Sequence, residues 1–285
     1  MYAITGITGK VGGTLARSLL NQGQRVRAVV RDARSAEAWA ALGCEVSVAH
    51  MDDAAALTAA FSGIKAAFIL PPPIFDPSPG FPEMHRVADA VAGAISSAKP
   101  DRVLCLSTIG AQAKQESLLS QLSMMESALS GLSVPVSFLR PAWFLENAAW
   151  DVAPARQTGV IPSFLTPLDR PFPMVSTRDV AMTAARLIQQ DNIGRIIELE
   201  GPRRVSPNDL ARAFAQLLEK PVRAEVVSTD RWDALFRAQG MKNPTPRIRM
   251  LQGFNEGWID FSGHTNTVKG IVTAEDVVRE LLAGH

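Results

Sequence analysis

The chain has 285 residues, with 29 lysines and arginines against 28 aspartates and glutamates and a formal net charge of +1. Near-neutrality argues against nucleic acid or an anionic membrane as a partner held by bulk charge, and two cysteines cannot build a disulfide framework and suit a reducing compartment. Hydrophobic residues at 47% and charged residues at 20% describe a globular chain long enough for a sizeable core, and its aromatic complement is odd in holding a single tyrosine, Tyr2.

In chain order, the first residues already read as a strand entering a glycine turn, so no signal peptide is expected ahead of the fold and a cytoplasmic location is expected. Short apolar runs follow at Tyr2–Thr5, Val26–Val30, Glu45–Ala49, Ala66–Leu70, Val103–Ser107 and Val136–Leu139. The run Ala66–Leu70 stops at three prolines and is far too short to span a bilayer. Amphipathic helical patterns alternate with these strands at about Val11–Asn21, Ala33–Leu42, Ala54–Phe61, Glu83–Ser97 and Gln115–Ser130. Five-residue strands with little alternation, separated by helices, predict an α/β protein with a doubly wound parallel sheet covered on both faces.

From Trp150 to Pro173 five prolines and no clear periodicity predict a loop-rich excursion. Ser176 with Asp179, Ser206 with Asp209 and Thr273 with Asp276 each have the spacing of a helix N-cap and its reciprocal partner. Ile196–Leu199 reads as one more sheet strand and Ala224–Val227 as a shorter one. The expected division is therefore residues 1–150 as a nucleotide-binding domain and 151–285 as a smaller, mostly helical substrate lobe interleaved with the sheet.

The segment Gly6, Ile7, Thr8, Gly9, Lys10, Val11 and Gly12 follows the first strand and opens the first helix. The first glycine permits a tight turn, the second lets backbone approach a pyrophosphate, and the third lets helix pack on strand. The helix start then offers free N–H groups and a positive dipole end to phosphates. An ordinary strand-to-helix turn is the plainer alternative, but the strand–turn–helix context favours a dinucleotide.

The end of the second strand discriminates between the nicotinamide cofactors. Arg31 takes the first position after it, with Arg34 close by, and a guanidinium suits the 2′-phosphate of NADP(H). Asp32 can serve the 2′-hydroxyl of NAD(H) instead; NADP(H) is favoured over NAD(H). Asp52 reads either as a contact to the adenine edge or as a helix N-cap. Leu70, Pro71 and Pro72 end the fourth strand at the carboxyl edge, where they are expected to line the ribose or nicotinamide region by shape.

TGITGKVG, the VVRD after strand two, Phe138–Pro141 leading to Trp143–Asn147, and Pro173–Ala181 together resemble the NmrA-like, atypical short-chain dehydrogenase/reductase family. Within it the chain is similar to bacterial NADPH:quinone reductases and triphenylmethane-dye reductases, and its PPPIFD stretch to clavine-type iminium reductases. The resemblance implies a Rossmann-type sheet with a small substrate lobe, pyrophosphate at Gly6–Val11, the 2′-phosphate at Arg31, and Pro141–Asn147 bordering the nicotinamide and substrate pocket. Trp143 and Asn147 are then substrate candidates; core packing for Trp143 and Phe144, and a helix cap for Asn147, are the alternatives.

Ordinary short-chain dehydrogenases use a Tyr-x-x-x-Lys pair as general acid, and this chain cannot supply it, because Tyr2 belongs to the first strand. Some relatives carry a His-x-x-x-Glu spacing in the fifth helix; Glu126 is present here, but Leu122 stands four residues earlier, leaving Glu126 as a solvated or paired residue. Ser107 and Thr108 either bond a ligand or cap their strand. His50, His85, His264 and His285 have no metal-ligand spacing, so no metal site is expected. Cys105 is expected to be buried and inert, and nothing near Cys44 suggests an activated thiol.

The expected function is an NADPH-dependent reductase of a conjugated small molecule, such as a quinone, an iminium or a dye, since these need no strong protein acid in the hydride step. The alternative is a non-catalytic NADP(H)-binding redox sensor that acts through protein partners. A structural role with a vestigial cofactor site ranks last.

Overall fold

The computed structural model describes residues 1–263 and 267–284. In chain order its strands are β1 (Tyr2–Ile4), β2 (Val26–Val30), β3 (Glu45–Val48), β4 (Ala66–Ile69), β5 (Arg102–Leu106), β6 (Val136–Pro141), β7 (Trp143–Phe144), β8 (Val160–Ser163), β9 (Met174–Val175), β10 (Ile196–Glu200), β11 (Arg223–Val226) and β12 (Val268–Lys269). Its helices are α1 (Lys10–Asn21), α2 (Ala36–Ala41), α3 (Ala54–Phe61), α4 (Pro82–Ala98), α5 (Ser120–Ser130), α6 (Val152–Thr158), α7 (Thr177–Leu187), α8 (Pro207–Leu218), α9 (Trp232–Ala238), α10 (Thr245–Glu256) and α11 (Ala274–Ala283).

An eight-stranded, wholly parallel sheet runs in the order β12-β10-β6-β5-β4-β1-β2-β3. Every residue of β1 and β4 is buried, which is why these strands read as unbroken apolar runs. One face is covered by α1, α2 and α7 and the other by α3, α4 and α5, each with its own core. Helix α1 shows the pattern that does this: Val11, Leu15, Ala16 and Leu19 share its buried stripe. Because β2 and β3 build outward from β1 while β5 and β6 build outward from β4, the carboxyl ends of β1 and β4 flank a topological switch point.

Several local expectations are corrected by competing interactions. The helix expected from Gln115 starts at Ser120, because Ser120 Oγ accepts the Ser117 N–H (2.9 Å) and the Leu118 N–H is taken by the Pro246 carbonyl (2.8 Å). The segment Ala33–Leu42 begins as a 3-10 turn, Ala33–Ser35, before α2. The excursion expected over Trp150–Pro173 contains α6 and β8, elements too short to show a period; β8 pairs with β11 outside the main sheet. Gly159, at φ 70°, ends α6, and a Cβ there would meet the Pro221 carbonyl oxygen at 2.8 Å. Both Ser206–Asp209 and Thr273–Asp276 form complete capping boxes. Ser176 caps α7, but Asp179 turns away to accept the N–H groups of Ile271 (3.1 Å) and Val272 (3.0 Å), fixing the chain as it leaves β12.

The remaining helices gather at the carboxyl edge of the sheet. Helices α6, α8 and α11 enclose a third core with β8 and β11, and α9 and α10 close a smaller one around Trp232, Phe236 and Leu251. Polar tethers fix this roof to the sheet. Asp76, in the loop after β4, accepts the N–H groups of Lys242 (2.9 Å) and Asn243 (2.7 Å), and Gln112, after β5, donates to the Asp260 carbonyl (2.8 Å). Gly110 lies so close to Ile259 that a Cβ would sit 2.9 Å from its Cγ2.

Candidate functional site

The glycine turn occupies the switch point. Gly6 adopts a left-handed φ of 62°, and its Cβ position would be 3.0 Å from Leu70 Cβ, so the turn and the end of β4 are in direct contact. A Cβ on Gly12 would fall 2.3 Å from the Gly6 carbonyl oxygen, so only glycine lets α1 pack this close. Gly9 is different: its nearest neighbour would be an ordinary 3.4 Å away, so the fold does not itself demand glycine, and the missing side chain leaves the mouth of the turn open. Gly9 is the N-cap of α1 and no side chain caps the helix start. Thr8, Gly9 and Lys10 are exposed there, while Ile7 and Val11 point into the core. An uncapped helix start framed by close-approach glycines is a fit for a pyrophosphate.

Beside it, the register of β1 on β2 (Ile4 opposite Ala28) brings the residues after β2 to the same edge. Arg34 Nε donates to Asp32 Oδ2 (2.7 Å) and the Arg34 N–H to Oδ1 (2.9 Å). The Arg34 side chain and then its N–H hold the Asp32 carboxyl below the usual range. Asp32 is therefore occupied as the cap of the 3-10 turn. Arg31 is exposed and makes no hydrogen bond or ion pair among the described residues.

Across the crevice, Thr5 Oγ1 donates to the Phe68 carbonyl (3.2 Å) and accepts the Leu70 N–H (2.8 Å), tying the ends of β1 and β4. Leu70 and Pro72 are half-buried and Pro71 is buried. Asp53, not Asp52, is the N-cap of α3, accepting the Ala56 N–H (3.0 Å), which removes the capping role considered for Asp52. Trp143 is half-buried and meets Phe254 of α10 edge to face at 5.2 Å, so it joins the sheet edge to the roof. Asn147 is exposed within a 3-10 segment, Leu145–Asp151, and caps no helix; its neighbour Glu146 instead accepts the Thr177 N–H (2.8 Å).

A buried polar network lies under the ends of β5 and β6. Arg140 donates through Nε (2.8 Å) and Nη2 (2.6 Å) to the two oxygens of Glu126, and Ser107 Oγ donates to Glu126 Oε1 (2.5 Å). Glu126 is thus paired, and the solvated alternative is excluded by its burial. Arg140 Nη1 reaches Gln112 Oε1 (3.0 Å), which continues to Asp260 of the roof. Sequence reading missed this network; the signal was a charged residue inside the apolar strand Phe138–Pro141. Burial pushes the Cys105 thiol far up and the Cys44 thiol up, so neither is an activated nucleophile. Among the described residues no cluster of histidine, cysteine or carboxylate side chains could hold a metal, and no helix is long and apolar enough to cross a membrane. His264 and His285 lie outside the described residues.

A parallel doubly wound sheet with a glycine turn and an uncapped helix start at its switch point defines the fold of NAD(P)-binding oxidoreductases. The NmrA-like family matches residues 2–242, and the chain belongs to it. It is 28% identical over 231 residues to a (4-alkanoyl-5-oxo-2,5-dihydrofuran-3-yl)methyl phosphate reductase of Streptomyces griseus, covering 81% of this chain and 78% of the relative. It is 27% identical over 247 residues to quinone oxidoreductase 2 of Escherichia coli, covering 85% and 82%. The crystal structure of a Citrobacter triphenylmethane reductase complexed with NADP(H) superposes with a TM-score of 0.81 at 19% identity over 99% of both chains. An NADPH-dependent quinone oxidoreductase from Escherichia coli gives 0.80 at 23% identity over 99% of both.

Proposed function

We propose that the protein is an NADPH-dependent reductase of a small conjugated electrophile, such as a quinone, an iminium or a cationic dye. The observation that carries the acceptor class is the position of Tyr2: the chain's only tyrosine is 3% exposed inside β1, so no tyrosine acid faces the cleft. Reduction of a plain ketone leaves an alkoxide that needs a donor, whereas a quinone spreads the charge and an iminium arrives with a positive charge to lose.

The residues divide the work as follows. The N–H groups at Thr8–Val11 bind pyrophosphate, with Gly6, Gly9 and Gly12 allowing the backbone to approach and Ile7 anchoring the turn in the core. Arg31 binds the 2′-phosphate, and the Asp32–Arg34 pair removes the carboxylate that would otherwise favour a 2′-hydroxyl. Leu70, Pro71 and Pro72 form a stiff wall without free N–H donors, and Trp143 and Asn147 border the acceptor. When bound, the cofactor supplies the hydride. The protein contributes orientation and exclusion of water. Residues 1–150 serve as the nucleotide-binding unit and 151–285 as the substrate lobe. The relatives named as quinone and furanone-phosphate reductases support an acceptor of this class.

Titration of the purified protein with NADPH and NADH, followed by absorbance at the reduced nicotinamide band with quinone, iminium and dye panels, tests the reading. Turnover of at least one conjugated acceptor is expected; tight NADPH binding with no oxidation by any of them would sink it in favour of a sensor. Arg31→Ala is expected to weaken NADPH by roughly ten- to a hundredfold while barely changing NADH, the scale of lost charge-assisted bonds. Equal weakening of both would remove Arg31 from the 2′-phosphate.

A further inference from the structure

Six arginines are buried or half-buried: Arg27, Arg102, Arg140, Arg170, Arg247 and Arg249. Five of them spend their donors on oxygen. Arg27 meets Glu45 (2.6 Å), Arg102 meets Asp191 (2.7 Å), and Arg140 meets Glu126 (2.6 Å). Arg170 donates to the Asn255 carbonyl (2.8 Å), and Arg249 to Gln252 Oε1 (3.2 Å). Arg247 departs from this pattern. Among the described residues it has no oxygen acceptor; its Nη1 lies 3.8 Å from Met241 Sδ, and its guanidinium lies over the Phe236 ring at 4.4 Å. A thioether is a weak acceptor, and an aromatic face attracts the charge without satisfying the planar fork of N–H groups. Burial accordingly weakens the guanidinium's hold on its proton.

The place of this cation gives it a use. Arg247 is in the first turn of α10, directly after Pro246, whose carbonyl accepts the Leu118 N–H from the loop after β5 (2.8 Å). Asp76 holds Lys242 and Asn243, just ahead of α10, to the loop after β4. Both loops leave the carboxyl ends of strands next to the switch point. Around the guanidinium, Phe236 stacks on Phe164 at 5.4 Å, and Trp143, Met241, Ile248 and Met250 pack on the same cluster. An apolar, adaptable wall with one half-exposed fork of donors that no protein oxygen takes suits a flat conjugated body that carries an oxyanion.

We propose that Arg247 is the anion-recognition residue of the acceptor site and makes the protein selective for substrates bearing a phosphate or a carboxylate. This rests on the reductase reading above for its reaction, but not for its binding. The test has two arms. In the first, kcat/KM is measured for a neutral naphthoquinone and for a carboxylate-bearing one, with wild type, Arg247→Met and Arg247→Lys. The wild-type preference for the anionic acceptor is expected to fall roughly ten- to a hundredfold in Arg247→Met, through KM, and to be partly retained in Arg247→Lys. Damage to folding lowers both acceptors together, so a preference that Arg247→Met leaves unchanged overturns the proposal.

The second arm needs no turnover. Calorimetric titration of the NADP-loaded protein with 1-naphthyl phosphate and with 1-naphthoate should show binding that Arg247→Met loses, and the tighter probe identifies the anion. Absence of binding to wild type, or binding that Arg247→Met keeps, overturns the proposal. Arg247-dependent binding without NADPH oxidation in the first arm upholds the anion site and defeats only the reductase reading.

Discussion

The two sides of the cleft are built by different means. On the cofactor side the geometry is set by close contacts at the backbone: Gly12 against the Gly6 carbonyl, Gly6 against the Leu70 side chain, and Thr5 Oγ1 stitching β1 to β4. On the roof side, α9 and α10 are positioned by hydrogen bonds reaching over from loops, at Asp76, Gln112 and Leu118, around an aromatic and methionine-rich cluster. The first arrangement is rigid and tolerates one shape. The second consists of individually modest bonds at loop ends, the class of structure that opens at low free-energy cost. Under the reductase reading proposed above, the rigid side holds the cofactor and the adjustable side meets the acceptor.

The largest expected effect lies where the two sides join. Glu126→Leu leaves Arg140 charged, buried and without its counter-ion, and is expected to cost about 3–5 kcal/mol in urea denaturation. Adding Arg140→Met should recover most of that loss. Failure of the double variant to recover would mean that the network, through Gln112, holds the roof as well as the core.

Next, Gly12→Ala should cost about 1–3 kcal/mol from forced displacement of α1. It should also abolish NADPH-dependent fluorescence changes, because the turn cannot shift without moving its N–H groups. Retained cofactor binding in Gly12→Ala would show the cofactor side to be as adjustable as the roof.

Asp76→Ala removes the exposed carboxylate that accepts two N–H groups. Its effect should appear as faster amide exchange at Lys242 and Asn243 and a changed acceptor KM, with NADPH affinity held. A changed NADPH affinity would break the separation of the two sides.

The lobe should also show a pH dependence. Asp151 is half-buried, and burial pushes its carboxyl up to about 7. The folded state then binds a proton that the unfolded state releases near its ordinary value of about 3.9. Stability from this group is therefore lost as pH rises between those values. The Tm gain of Asp151→Asn over wild type should grow from pH 5 to pH 8; a gain independent of pH would assign it to packing.

The glycine turn and the strands beside it were legible almost whole, since their determinants are local. Strands buried on both faces must be apolar throughout, and a glycine triplet between strand and helix leaves few other shapes. Gly13 was the omission: a Cβ there would sit 2.9 Å from the Ile7 carbonyl oxygen, so the turn needs a fourth glycine. The roof was largely illegible. Helices α9 and α10 carry few buried positions, and β12 is two residues long and owes its place to Asp179, some ninety residues earlier in the chain. Arg247 and Asp76 could not have been singled out, because what distinguishes them is the company they keep across loops, which no local pattern encodes. Glu126 shows the intermediate case: its pairing was foreseeable, its depth was not.

The burial of Tyr2 also equips the molecule with an internal probe. A single phenol placed in β1, an interior strand of the sheet, reports on that strand alone, so second-derivative absorbance, or its resistance to nitration by tetranitromethane, follows the integrity of the sheet without interference from the cleft. The five tryptophans include Trp143, Trp232 and Trp258 in the roof. Trp39, on α2, is instead buried against the sheet, so in a Trp39→Phe background the tyrosine follows the sheet and the tryptophans the roof, and unfolding followed at both would show whether the roof lifts before the sheet melts.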